Sequence, residues 1–216
     1  MARFLIPVLI FLTLAPVAQA KVVELFASHN CPACPEAHRV MNELAASDED
    51  VLIFTWSVDY WDYLGAPDPR AMDDAKVRQR VYADRFKNRG PYTPQTVYSG
   101  MAQGPGNRPD DVRAKLSMAP AFDEVTLEAN QKGFVLSGAA EGGRYDVFLL
   151  TVDASGYDEI GIVNAVVDAR KVGTWEGGEA AFTAPFTEHC AVVVQEPGFG
   201  RIVFAEMLSG AAASAP

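Results

Sequence analysis

Two cysteines separated by two residues, in the segment Cys31-Pro32-Ala33-Cys34, have a spacing suited to covalent chemistry. A disulfide needs Cα atoms about 4.4–6.8 Å apart, and positions three apart on a first helical turn meet that requirement. One thiolate of such a pair attacks a disulfide, and the other resolves the mixed disulfide. A cysteine at a helix N-terminus has its pKa lowered to roughly 3.5–7.5 by the unsatisfied N–H groups and the helix dipole. The spacing predicts thiol–disulfide exchange, with Cys31 as nucleophile and Cys34 as resolving cysteine.

Two other uses of the same cysteines stay open at the level of sequence. Thiolate and imidazole together suit Cu(I) or Zn(II), and His29 and His38 lie nearby, His38 four residues after Cys34. That alternative is a copper or zinc binding module. The pair can also be a structural disulfide in a non-catalytic envelope protein that binds a partner. The third cysteine, Cys190, is expected to be a buried, small apolar residue.

The first twenty residues are predicted to be a signal peptide. Arg3 precedes an apolar stretch over residues 4–17, and Ala18-Gln19-Ala20 has the small-x-small pattern of a cleavage site. The stretch is shorter than the ~20 apolar residues of a membrane span, so no membrane anchor is expected. We therefore expect a periplasmic or secreted protein whose mature chain begins at Lys21, in a compartment where disulfides persist.

The charge of the chain argues against nucleic acid and anionic membranes as partners. Without Arg3, the mature chain has 17 basic and 28 acidic residues, a net charge of −11, and no basic cluster offsets it. The redox hypothesis instead predicts a protein or small-molecule substrate that carries a disulfide or thiol, together with a redox partner. It requires no cofactor and no metal. The sequence does not determine the oligomeric state.

Residues 21–120 alternate strand and helix patterns, which predicts an α/β domain that holds the dithiol at a strand-to-helix junction. A short apolar strand precedes the cysteines, and apolar residues at helical spacing follow them. Thr93-Pro94 stands directly before the third predicted strand. The predicted order is a strand at 21–26, a helix after the cysteines, a strand at 51–58, a helix at 71–88, strands at 95–98 and 101–103, and a helix at 109–118.

Residues 121–209 have a different texture, with short β-rich runs separated by glycine-rich turn signals. Such spacing predicts a small, all-β, sandwich-like domain. The tail at 210–216 is low in complexity and is expected to be disordered. The predicted strands are at 125–129, 134–137, 145–152, 162–168, 180–182, 190–195 and 202–207.

These motifs together resemble the thioredoxin superfamily and, more narrowly, a secreted bacterial family catalogued as a domain of unknown function. The resemblance covers residues 22–118, and the β-rich half is similar to that family's second half. The segments that carry it are Val22-Val23-Glu24-Leu25-Phe26, Cys31-Pro32-Ala33-Cys34-Pro35, Val58-Asp59-Tyr60-Trp61-Asp62-Tyr63-Leu64-Gly65 and Arg89-Gly90-Pro91-Tyr92-Thr93-Pro94-Gln95.

The resemblance implies a thioredoxin-like domain followed by an all-β domain, and it implies roles for three residues besides the cysteines. Pro94 is expected to be cis and to face the dithiol, and Thr93 to offer backbone groups to an extended substrate. Glu24 corresponds to the acid that relays a proton to the resolving cysteine. It lies seven residues before Cys31, whereas the thioredoxin acid lies six residues before its first cysteine.

An aromatic and acidic segment follows the second predicted strand. Its side chains either border a substrate groove or only pack the domain, and the sequence leaves both interpretations open. The same choice applies to Tyr92. The residues concerned in the segment are Asp59, Tyr60, Trp61, Asp62 and Tyr63.

Overall fold

The computed structural model describes residues 21–47, 50–130, 132–140, 143–153, 161–186 and 189–208 of the 216-residue chain. The predicted signal peptide at 1–20 and the predicted tail at 210–216 lie outside the described residues. Within the described ranges, no helix is long and apolar enough to cross a membrane.

The first half alternates strands and helices in the predicted order. β1 and β2 are apolar runs buried on both faces, as strands inside a parallel arrangement are. α1 buries apolar residues at helical spacing, and a proline occupies the first turn of α3, where a missing N–H leaves no bond unmade. The elements are β1 (Lys21–Ala27), α1 (Cys34–Ser47), β2 (Val51–Ser57), a 3₁₀ turn (Asp62–Leu64), α2 (Asp73–Arg85), β3 (Gln95–Tyr98), β4 (Ala102–Pro105) and α3 (Pro109–Met118).

The second half contains a strand at each of the seven places where turn signals and β-rich runs predict one. The fourth strand of this half is longer than its predicted run and begins three residues later. The strands are β5 (Val125–Asn130), β6 (Gly133–Gly138), β7 (Tyr145–Asp153), β8 (Ala165–Trp175), β9 (Ala180–Thr183), β10 (Cys190–Gln195) and β11 (Ile202–Leu208).

Strands from both halves form one mixed sheet of eight strands, in the order β11-β10-β7-β8-β2-β1-β3-β4. β1 pairs in parallel with β2 and antiparallel with β3, so the strand that leads to the dithiol lies inside the sheet. A second sheet is antiparallel, with the order β5-β6-β9. The fold is therefore mixed α/β, with a large mixed sheet and a separate three-stranded antiparallel sheet.

The two faces of β1 belong to two different cores. Val23 and Leu25 pack in a cluster with both cysteines of the dithiol and the apolar residues of α1. Val22 and Phe26 pack in a second cluster, which also holds buried residues of the three-stranded sheet and of the C-terminal strands. This alternation follows from the two-residue period of a strand, and it decides which side chains of β1 can reach the cysteines.

The expectation of a separate sandwich-like second half needs correction. The three-stranded sheet does share a core with the C-terminal strands, but those strands continue the sheet of the first half through the pair β8–β2. Thr55 of β2 donates its backbone N–H to Asn164 O at 3.1 Å, and the Asn164 side chain donates to Ile53 O at 3.0 Å. The open edge of β2 is paired in this way, which satisfies backbone groups that burial would otherwise leave unbonded.

Candidate functional site

Cys31 and Cys34 are joined as a disulfide at the carboxyl end of β1, with their Cα atoms 5.4 Å apart. α1 begins at Cys34, so Cys31 lies in the turn in front of the helix. The N–H of Cys34 donates to Cys31 O at 3.1 Å, and the N–H of Cys31 donates to Ser28 O at 3.1 Å. These bonds hold the two cysteines at a strand-to-helix junction, as the sequence predicts.

Both cysteines of the oxidised pair are buried. Cys31 is 2% exposed and Cys34 is 1% exposed, whereas Pro32 and Ala33 between them are exposed. The loop of the motif therefore meets solvent while its sulfur-bearing residues face the core of α1.

A cavity of about 10 Å³ lies behind Cys34, enough for about one water molecule. Its wall includes Cys34, His38 of α1, Ser57 at the end of β2 and Asp68. All four of these residues are buried. A carboxylate, an imidazole and a hydroxyl thus share a water-sized space with Cys34, which is a suitable arrangement for moving a proton to or from its thiol.

Asp68 is held in place by the backbone of two neighbouring segments. Its Oδ2 accepts the N–H of His29 at 2.7 Å, and its Oδ1 accepts the N–H of Arg70 at 3.0 Å. Its own N–H donates to Asp62 Oδ1 at 3.1 Å, and that oxygen also accepts Asn30 Nδ2 at 3.3 Å. The loop between β2 and α2 is thereby tied to the segment that leads into the dithiol. The sequence gives no signal for Asp68, because a residue in an irregular loop has no periodicity to interpret.

The peptide bond between Thr93 and Pro94 is cis, as the resemblance implies. Pro94 is buried and Thr93 is half-buried. Trp61 Nε1 donates to Thr93 Oγ1 at 2.7 Å, and the Trp61 ring packs against the core cluster that contains both cysteines. One aromatic side chain therefore connects the Thr93 segment to the surroundings of the dithiol.

In the aromatic and acidic segment the two acids have partners within the protein, whereas one aromatic ring is exposed. Asp62 binds within the loop, as described above, and Asp59 accepts Lys76 Nζ at 2.6 Å. Tyr63 stacks on Trp61 with ring centroids 6.1 Å apart, yet it is 76% exposed. The acids thus have structural partners, while the outer aromatic ring is available to a partner molecule. The Tyr92 hydroxyl donates to Gln103 Oε1 at 2.5 Å, so this side chain has a partner within the domain.

Glu24 lies on the opposite face of β1 from the dithiol. Its Oε1 accepts Arg78 Nε at 2.5 Å and its Oε2 accepts the Tyr82 hydroxyl at 2.5 Å. Burial raises the pKa of Tyr82 above its ordinary value, so the hydroxyl keeps its proton and donates. One residue of register separates Glu24 from the cysteine-facing position Leu25, and a one-residue shift on a strand reverses the face. We therefore do not retain a proton relay at Glu24.

The histidines differ in position. His38 is buried and lines the cavity behind Cys34, and His29 is exposed, with its backbone N–H bound to Asp68. Among the described residues, no group of three or more His, Cys, Asp or Glu side chains is placed to hold a metal ion. The donor geometry gives the copper or zinc alternative no support.

Comparison with known proteins places the chain in a family and gives a likeness in fold. A family model described as protein of unknown function (DUF1223) matches residues 22–197. The crystal structure of protein AGR_C_4864 from Agrobacterium tumefaciens matches with a TM-score of 0.77 at 24% identity, over 94% of this chain and 99% of that chain. HBP35 of Porphyromonas gingivalis matches with a TM-score of 0.54 at 12% identity, over 89% and 75%. No curated protein matches the chain.

Proposed function

Since the chain belongs to the DUF1223 family of proteins of unknown function, we propose an activity from the chain's own site: thiol–disulfide exchange through Cys31 and Cys34 in an exported protein. The observation that carries this proposal is the disulfide itself, formed by two cysteines three residues apart at the start of α1. The water-sized cavity with buried polar groups behind Cys34 supports it, because resolution of a mixed disulfide requires a proton to leave that thiol.

The bonds and electrons of the exchange balance between the Cys31–Cys34 pair and its substrate. In the reduced enzyme, the Cys31 thiolate attacks one sulfur of the substrate disulfide and releases the other sulfur as a thiolate. The Cys34 thiolate then attacks Cys31 Sγ, releases the second substrate sulfur and forms the Cys31–Cys34 disulfide. Two electrons pass from the dithiol to the substrate. The same steps in reverse oxidise a substrate dithiol, and a redox partner restores the starting state.

The surrounding chain supports a thioredoxin-like role for residues 21–120. β1 lies between β2 and β3, the dithiol follows β1 directly, and a cis Thr93–Pro94 bond precedes β3. In this arrangement the backbone of Thr93 offers pairing groups to an extended segment of a protein substrate. Export to the periplasm or beyond is part of the proposal, and the predicted signal peptide supports it.

Trapping of mixed disulfides tests the assignment of roles. Without Cys34 the intermediate on Cys31 is not resolved, so Cys34→Ser should accumulate covalent adducts with envelope proteins, while Cys31→Ser should accumulate few. Adducts are counted on non-reducing gels after acid quenching. Cys190→Ser is the matched control, because Cys190 is buried in β10 and is not part of the Cys31–Cys34 disulfide, and it should behave as the unaltered chain does. Equal trapping by both single variants, or by neither, contradicts the proposal.

A structural disulfide is the second candidate, because both cysteines are buried in the oxidised form. The chain-entropy relation gives about 2 kcal/mol for a closed loop of about four residues, against about 3 kcal/mol for a loop of 15. Such a short link stabilises a protein of this size weakly. Slow reduction by dithiothreitol, together with the absence of any trapped partner, would favour this candidate over the first.

A further inference from the structure

A second cavity, of about 200 Å³, opens on the face of the sheet that α2 covers, and it shares no lining residue with the cavity behind Cys34. Its walls are largely apolar, with Trp56 of β2, Phe148 of β7 and Phe199 of the β10–β11 turn. Arg78 of α2 forms part of the same wall. An apolar cavity with a few converging polar groups is the usual form of a small-molecule site.

The indole nitrogen of Trp56 is a buried donor that no described residue uses. Trp56 is 1% exposed, and its Nε1 has no hydrogen-bond partner among the residues that the structure describes. A buried donor without a partner costs roughly 1–3 kcal/mol, and native proteins keep few of them. A ligand acceptor in the adjoining cavity would remove this cost.

Arg78 contributes a charged donor whose bonds are only partly used. Its Nε donates to Glu24 at 2.5 Å, and its Nη2 donates to Gln195 at 2.7 Å and to Tyr82 at 3.3 Å. Nη1 takes part in none of these bonds. Glu24 does not line the cavity, so a molecule in it meets the guanidinium rather than the carboxylate that balances its charge.

Phe199 is held over this guanidinium in an uncommon backbone conformation. Its φ is +53°, in the left-handed region that bulky residues rarely adopt, and the Arg78 Cζ lies 4.5 Å from its ring centroid. The Phe199 ring also lies 5.9 Å from that of Phe148. Residues fixed in such conformations cluster at ligand clamps and active sites. The turn places an aromatic wall on the cavity at a conformational cost.

We propose that this cavity binds a small apolar molecule that ends in a carboxylate. The unused donors of Trp56 and Arg78 favour a ligand group that only accepts hydrogen bonds, and a carboxylate is such a group. The aromatic walls favour an apolar body for the rest of the ligand. The volume lies below the roughly 300–1,000 Å³ of drug-sized sites, which limits that body to about one ring or a short chain. Charges at the rim are screened or paired, since Asp74 is exposed and Lys171 binds Asp146 at 2.6 Å.

Titration with phenylacetate tests the site on the full mature chain. We expect a saturable shift of the Trp56 indole N–H resonance, identified by its loss in Trp56→Phe. Calorimetry should show at least about tenfold weaker binding to Trp56→Phe, because a hydrogen bond to a charged acceptor is lost while the ring wall is kept. Phenylacetamide should bind more weakly than phenylacetate, and 2-phenylethylamine should not bind.

Two exposed valines provide a matched pair for blocking the cavity. Val77 lines it and is 56% exposed, whereas Val167 of β8 is 46% exposed and does not line it. Val77→Trp should abolish the titration and Val167→Trp should leave it unchanged. The double variant Cys31→Ser/Cys34→Ser should bind phenylacetate normally, so this result is independent of the redox proposal. No saturable shift, equal binding of the amide and the acid, or equal loss in both valine variants would overturn the inference.

Discussion

At the scale of single residues, the role proposed for Cys34 as resolving cysteine predicts a dependence on the polar groups that share its cavity. Asp68 is the carboxylate among them, and it is buried. If it exchanges a proton with Cys34 through one water, Asp68→Asn should slow exchange of a model disulfide by about 10²-fold, the lower range for general acid–base catalysis. Stopped-flow kinetics of the second, resolving step measure this effect directly.

Asp62→Asn is the matched control, because Asp62 lies in the same loop and binds the N–H of Asp68 but does not line the cavity. It should leave the rate near that of the unaltered chain. If both variants slow the reaction equally, the loop's position matters rather than the carboxylate of Asp68. Glu24 and Asp68 show what a sequence can reveal here: the resemblance assigns a proton relay to Glu24, which the structure places on the opposite face of β1, whereas only the fold brings Asp68 to Cys34.

At the scale of elements, two turns from distant parts of the chain touch each other. The β3–β4 turn holds Gly100 at φ +71°, and a Cβ there would collide with the carbonyl oxygen of Gly200 in the β10–β11 turn. The Ile202 N–H also donates to Ser99 O at 3.0 Å across this contact. Gly100→Ala should therefore lower the free energy of unfolding by at least about 2 kcal/mol, since a steric clash adds to the roughly 1–2 kcal/mol of left-handed strain.

Urea denaturation measures this loss against Gly198→Ala, whose φ is +68° but whose Cβ would meet open space. The control should lose only the strain, about 1 kcal/mol. If the free energy of unfolding falls no more in Gly100→Ala than in Gly198→Ala, the close contact between the two turns does not limit the side chain at position 100.

The elements themselves were largely predictable, because apolar period and turn residues are local signals. All seven strands of the second half fall where glycine-rich turns and β-rich runs place them. The partners of those strands were not predictable. The pairing of β8 with β2 depends on bonds from Thr55 and Ile53 to Val163 and Asn164, which lie more than 100 residues further along the chain and form no sequence pattern with β2.

At the scale of the whole molecule, a buried polar cluster joins the first half of the chain to the last. Glu24 of β1, Arg78 and Tyr82 of α2, and Gln195 of β10 bond to one another and are all at most 4% exposed. From this cluster and the shared sheet, we expect the two halves to unfold as one cooperative unit. Hydrogen exchange of β1 and β10 should accordingly show the same free energy of opening.

Arg78→Met tests the dependence of the whole fold on that cluster. Among the described residues, the change leaves the buried Glu24 carboxylate with the Tyr82 hydroxyl as its one side-chain partner, and removal of one member of a buried ion pair costs about 3–5 kcal/mol. Urea denaturation should show a loss of this size, with exchange accelerated in β1 and β10 alike. Arg80→Met, two residues along α2 and exposed, should change stability by less than about 0.5 kcal/mol. The double variant Glu24→Gln/Arg78→Met should recover part of the loss, because the unpaired charge is gone; a double variant less stable than Arg78→Met would show that the carboxylate is not the source of the cost.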